Sequence, residues 1–235
     1  MQLNTLNRVI SLFLIGGFVV VLAAASLREE IGKFLVQHPF GPGWGPTAGV
    51  FLAVGLLSVT ALAGAVVDAL SNLTVRRFIR KVLAKNRFTA WIFLCAGEFE
   101  EQDRWREAFK SVLRDNSKYK VLGEEKRMIN PLSAGIFFRT AEKEHAEWLI
   151  QHHSMYHLSA DFVIILIAIV VFAWLRELHG VAYCCVGGAY LLTSFALDNY
   201  LYTYQLSFRN AYLVIKDKPE PEVATGLEDS TPNAA

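Results

Sequence analysis

No Gly-rich phosphate loop, no Gly-x-Ser-x-Gly nucleophile elbow and no Cys-x-x-Cys pair occurs in this sequence. The usual local signatures of nucleotide binding, serine hydrolysis and dithiol chemistry are therefore missing. Cysteine is scarce: Cys95, the adjacent Cys184 and Cys185, and no others. That spacing fits neither a disulfide framework nor a zinc site, and buried apolar packing is the default role of such thiols. Net charge is lacking too, with 23 basic against 22 acidic residues, which leaves +1 at pH 7. Direct nucleic-acid binding through bulk electrostatics is not expected from such a balance. The most telling absence is local. Four stretches carry no charge at all, at about Val9–Ser26, Thr47–Val67, Phe162–Leu175 and Leu178–Leu197.

A bilayer core takes about 20 apolar residues per spanning helix, and lipid leaves helices as the only open-chain solution for the backbone. The first, second and fourth stretches meet or nearly meet that length. The third borrows a turn toward Tyr156 and Ser159. The first stretch could also be read as a secretory signal, but it exceeds a normal apolar signal region and a second stretch follows within one short loop. A retained helix is the preferred reading. The expected fold is an all-α membrane protein with four transmembrane helices, two of them extending into the cytosol. Its cytosolic insert should be mainly α, with α+β as the alternative over 88–131. The division is 1–71 for a first transmembrane hairpin, 72–155 for the insert, 156–216 for a second hairpin with its helical extension, and 217–235 for a disordered tail rich in Pro, Glu, Ser and Thr.

Charge sets the orientation. Between Asp68 and Glu98 the chain holds Arg76, Arg77, Arg80, Lys81, Lys85 and Arg87 and no acid, so this side should be cytosolic by the positive-inside bias. Both termini then face the cytosol of a bacterial inner membrane. Leu73–Lys85 reads as one basic amphipathic helix, and its six basic residues are candidates for binding a membrane surface or another anionic ligand. In the first outer loop, Arg28–Gln37 reads as an interfacial helix, and Pro39–Pro46, with Phe40 and Trp44, as an irregular segment at headgroup level.

Within the insert, Phe88–Cys95 fits a buried strand or a helix lying against the membrane. Glu98–Arg114 reads as a helix whose acidic first turn suits the helix dipole. Lys118–Leu122 could form a short strand. From Phe138 a stripe through Ala141, His145, Trp148, Leu149, His152, Tyr156 and Ser159 has helical spacing and runs without Pro or Gly into the third stretch. A second stripe, Leu197, Leu201, Tyr204, Phe208, Tyr212 and Ile215, continues the fourth. Trp148, His152, Tyr156, Leu201, Tyr204, Phe208 and Tyr212 are the expected seam of this long hairpin, or of an oligomer.

Two constellations could carry chemistry. His153, His157 and Asp161 are spaced i, i+4, i+8, and histidines at i and i+4 can share a metal, so a metalloprotein is one alternative. The pattern His152-His153-x-x-x-His157 is similar to a single histidine box of membrane di-iron hydroxylases, which use several. No cofactor is otherwise expected, and no catalytic residue is assigned. Asp68, Asp161 and Asp198 each fall at the cytosolic end of a different span. They would line a cation path in a symmetric oligomer, or pair with Arg76, Arg209 or His157 and set helix depth. Gly16, Gly17, Gly55, Gly64, Gly187 and Gly188 suit close helix packing.

Gly64-Ala-Val-Val-Asp-Ala-Leu70 at the end of the second stretch, and Glu147-Trp-Leu-Ile-Gln-His-His-Ser-Met-Tyr156 before the third, sit in an arrangement that resembles small bacterial four-span membrane proteins of anti-phage defence systems, such as the membrane subunit of the Kiwa system. The likeness is architectural, covers most of the chain and transfers no active-site residue. It implies a non-enzymatic homo-oligomer that senses or disturbs the membrane and partners a soluble cytosolic protein. A cation channel or transporter subunit is the alternative function.

Overall fold

In a computed structural model of the chain, the described residues are 2–27, 29–30, 33, 46–115, 129–141 and 143–217. Among them every regular element is helical. The elements are α1 (Gln2–Ser26), α2 (Pro46–Leu73), α3 (Val75–Lys81), a 3-10 turn (Leu83–Lys85), α4 (Arg87–Ile92), α5 (Ala96–Asp115), α6 (Ile129–Thr140), α7 (Lys143–Leu175) and α8 (His179–Asp217). The segments Arg28–Gln37, Pro39–Pro46, Lys118–Leu122 and the tail beyond Asp217 fall wholly or almost wholly outside the described residues.

The chain divides into two compact units. One is Met1–Leu83 with Ser154–Ala196, and the other is Ala84–His153 with Leu197–Ala235. Three helices, α2, α7 and α8, are long and apolar enough to cross a membrane. The apolar part of α1, Val9–Ala24, is shorter. At 1.5 Å per residue the 33 residues of α7 and the 39 of α8 run about 50 and 58 Å, well beyond a hydrocarbon core of about 30 Å.

In the first unit, α1 and α2 touch backbone to backbone. A Cβ on Gly16 would lie 1.8 Å from the Thr60 carbonyl oxygen, and one on Gly64 would lie 2.0 Å from that of Leu12. Only glycine permits this approach. Gly55 and Gly187 have open space around them, and a Cβ on Gly188 would meet only a leucine side chain. Ile15, Val67 and Ile165 form the buried centre, and the Phe18 and Phe162 rings meet edge to face at 5.8 Å. Outward, Val54, Leu57 and Leu62 on α2, Phe172 and Trp174 on α7 and Leu191 on α8 are exposed. So much outward apolar surface on long helices suits lipid as the solvent.

The second unit has a water-excluding core of its own. Phe109 and Leu113 of α5, Ile129 and Ile136 of α6, and Phe208 and Ala211 of α8 are all buried together. Pro131 sits in the first turn of α6, where a missing N–H costs nothing. Phe88–Cys95 is helical through Ile92 and then turns, so the strand alternative for this piece is set aside. Asn86 caps α4 by accepting a hydrogen bond from the Phe88 N–H at 2.9 Å. The end of α4 is closed by the Cys95 N–H donating to the Ala90 carbonyl at 2.8 Å, with Leu94 at φ 60° in the position glycine usually takes. The end of α7 uses the same device, with Glu177 at φ 59° and the Leu178 N–H donating to Ala173.

Two element readings need correction. The stripe expected to run unbroken from Phe138 is interrupted, because α6 ends at Thr140 and α7 starts at Lys143. Phe138 and Ala141 therefore do not share a helix with Trp148. Leu73–Lys85 is not one helix but the end of α2, then α3, then a 3-10 turn, with a break at Thr74 whose hydroxyl donates to the Leu70 carbonyl at 2.6 Å. A side-chain bond of this kind competes with the regular ladder and bends a helix.

Candidate functional site

The charged centre of the first unit is built by the exit of α2, the start of α3 and the middle of α7. Arg76 Nη2 donates to Asp68 Oδ1 and to Asp161 Oδ1, each at 2.5 Å. The side chains are 3% exposed for Arg76, 18% for Asp68 and 3% for Asp161, so this is a buried cluster. The Tyr156 hydroxyl donates to the Arg76 carbonyl at 3.4 Å, Arg76 Nε is buried without a partner, and the buried Ser71 hydroxyl lies beside Asp161. A guanidinium stays charged at any ordinary pH.

This geometry redistributes the expected site residues. Arg76 leaves the surface-binding set, because it is committed to two carboxylates inside the unit. Arg77, Arg80, Lys81, Lys85 and Arg87 remain on or near the surface. Arg80 Nη2 donates to Asn72 Oδ1 at 3.1 Å, and Arg87 pairs with Glu100. Of the three aspartates, the structure joins Asp68 to Asp161 through Arg76. Asp198 belongs to the second unit, where its charge acts on the Cys95 thiol. Of the histidine set, Asp161 is engaged by Arg76, and the His157 ring packs on Tyr156 at 5.1 Å. Among the described residues no group of three or more His, Cys, Asp or Glu side chains is placed to hold a metal ion.

In the second unit the expected seam splits in two. Trp148 and His152 of α7 meet Tyr202 of α8, with ring centroids 4.9 and 5.0 Å apart, and His152 Nδ1 lies 2.7 Å from Asn199 Oδ1. Phe208 and Tyr212 face α5 instead, stacking near Phe109 and Trp105 at 6.1 and 5.8 Å. Leu201 is fully buried and Tyr204 packs beside Phe208. Cys95 is buried, and desolvation, followed by the charges of Asp198 and Glu98, pushes its thiol up to about 12. Such a thiol is inert at neutral pH.

A cavity of about 400 Å³ opens between α6, the start of α7 and α8. Its apolar wall is Phe137, Leu206 and Leu213. Its polar wall is Thr140, His145, Arg209 and Asn210, and no carboxylate lines it among the described residues. Asn210 Nδ2 is buried without a hydrogen-bond partner. The Arg209 guanidinium lies 5.6 Å over the Trp105 ring. The sequence names Arg209 as a possible partner for an aspartate and does not single out Asn210, Asn199 or Tyr202. Asn199 and Tyr202 are one helical turn apart, which was the available signal. No protein-family model, curated protein or solved structure matches this chain.

Proposed function

We propose that this chain is a non-enzymatic, oligomeric, multi-pass membrane protein with α1 as a fourth span, whose first unit anchors and whose second unit binds a partner on the cytosolic side. The observation that carries this reading is the Asp68–Arg76–Asp161 cluster. Carboxylates closed on a buried guanidinium fix helices to one another, whereas an ion path needs them facing water. The architectural likeness to defence proteins adds the context, an inner-membrane sensor or effector working with a soluble protein.

Cation flux in proteoliposomes tests it. The wild-type protein and the Asp161→Asn and Asp68→Asn variants should all give the leak of empty vesicles. A K⁺ or Na⁺ flux present in the wild type and abolished by either substitution would overturn the anchoring reading in favour of a channel.

A further inference from the structure

The cavity of the second unit has the composition of a ligand site. Its volume of about 400 Å³ falls in the usual range for small-molecule pockets, about 300–1,000 Å³. One wall is apolar, from Phe137, Leu206 and Leu213, and the other presents donors with no acid among its described residues. The Thr140 hydroxyl already donates to the Ile136 carbonyl at 2.8 Å and His145 is engaged in an interaction of its own, which leaves Arg209 and Asn210 as the donors among the described lining residues. The Asn210 Nδ2 group is buried with nothing to receive its N–H, and a turn of this side chain toward the cavity it lines would let a ligand oxygen relieve that cost. Arg209 is held at the rim by Trp105 of α5, which leaves the guanidinium edge able to take an anion in a two-pronged contact.

We infer that this cavity binds a small amphipathic anion, with a carboxylate or phosphate head on Arg209 and Asn210 and an apolar body against Phe137, Leu206 and Leu213. This names the partner class for the second unit and rests on the reading of that unit as a binding module. The same head chemistry could come from a soluble amphiphile or from a lipid headgroup.

The test uses the full chain in phosphatidylcholine nanodiscs, with octyl phosphate, octanol and inorganic phosphate as probes. Octyl phosphate should bind saturably and change the fluorescence of Trp105, since the anion competes for the cation above that ring. Octanol and inorganic phosphate should each bind at least about tenfold more weakly. Arg209→Gln and Asn210→Leu should each weaken octyl phosphate about tenfold, Arg209→Lys should recover part of the loss, and Leu213→Trp, which fills the cavity, should abolish binding with helicity unchanged. Trp105→Phe should lose the optical signal and keep the binding heat. In discs doped with phosphatidic acid, native mass spectrometry separates the sources. A lipid retained by the wild type and lost in Leu213→Trp assigns a headgroup, and octyl phosphate binding without such retention assigns a soluble anion. Equal binding of octanol and octyl phosphate, or unchanged affinity in both Arg209→Gln and Leu213→Trp, would overturn the inference. That failure is separable from failure of the anchoring reading, which is measured by ion flux and not by ligand.

Discussion

Arg76 shows how a side chain's surroundings can reverse its apparent role. In the sequence it is one of six basic residues in a run without acids, and the run as a whole reads as surface. Only the fold reveals that Asp161, far along the chain, supplies the second carboxylate. Removing one member of a buried charge set is far more damaging than removing all of it. Arg76→Met should therefore lower stability by about 3–5 kcal/mol. Adding Asp68→Leu and Asp161→Leu to it should restore most of the loss, as read by SDS-induced unfolding in mixed micelles. Cys95 gives a second, pH-dependent prediction. Its thiol has an ordinary value of 9.0 and is pushed up to about 12 in the folded chain, mainly by burial. Between those values the folded protein keeps a proton that the unfolded chain has lost, so this contribution is intact below pH 9 and declines as pH rises toward 12. Cys95→Ala should show a shallower loss of stability between pH 8.5 and 10.5 than the wild type in the same unfolding assay. Arg76 is already a candidate partner for the aspartates in the sequence, but that it takes Asp68 and Asp161 together was not legible, because charge pairing across helices depends on rotation about their axes, and composition does not fix that.

Among the elements, the long ones were legible and the short ones were not. The apolar runs of α2, α7 and α8 are strong enough to define helices by length and composition alone. The break between α6 and α7 was invisible, since Thr140 to Lys143 contains neither proline nor glycine and continues a helical stripe. Thr74 hides a similar break in a segment of good amphipathic spacing. Leu94 and Glu177 close helices in a left-handed conformation that favours glycine, so the usual sequence marker of a helix end is absent there. The glycines of the spans were noted as packing residues, and the structure selects Gly16 and Gly64 from that set. Gly64→Leu cannot be accommodated against the Leu12 carbonyl without moving α1. It should cost at least about 1–3 kcal/mol, the range for overpacking. Disulfide crosslinking between cysteines placed at Leu12 and Gly64's neighbour Ala63 should fall accordingly. Gly187→Leu, in open space, should change neither stability nor crosslinking.

For the whole molecule, the sequence pattern and the structure agree on a helical protein with several helices long and apolar enough to cross a membrane, of which α7 and α8 are longer than a bilayer core. The fourth span and the cytosolic placement of the second unit are the parts of the proposal that rest on α1 and on the positive-inside bias. The two units also differ in kind. The first turns apolar side chains outward along its long helices around a small charged centre, while the second keeps Phe109, Phe137 and Phe208 inside and exposes Phe88, Trp91 and Leu94 around α4. The proposal puts a bilayer around the long helices of the first unit and water around the buried aromatic core of the second.

That division is open to direct measurement by labelling single cysteines with a membrane-impermeant maleimide. The background should be Cys184→Ala, Cys185→Ala, with Cys95 left in place as an inert buried thiol. Cysteines at Gln205 and Leu213 of α8 should react only when the reagent reaches the cytosolic face, those at Val186 and Leu191 should not react from either side, and one at Glu177 should react from the opposite face. Water-accessible labelling at Val186 and Leu191, or labelling of Glu177 and Leu213 from the same side, would contradict the account.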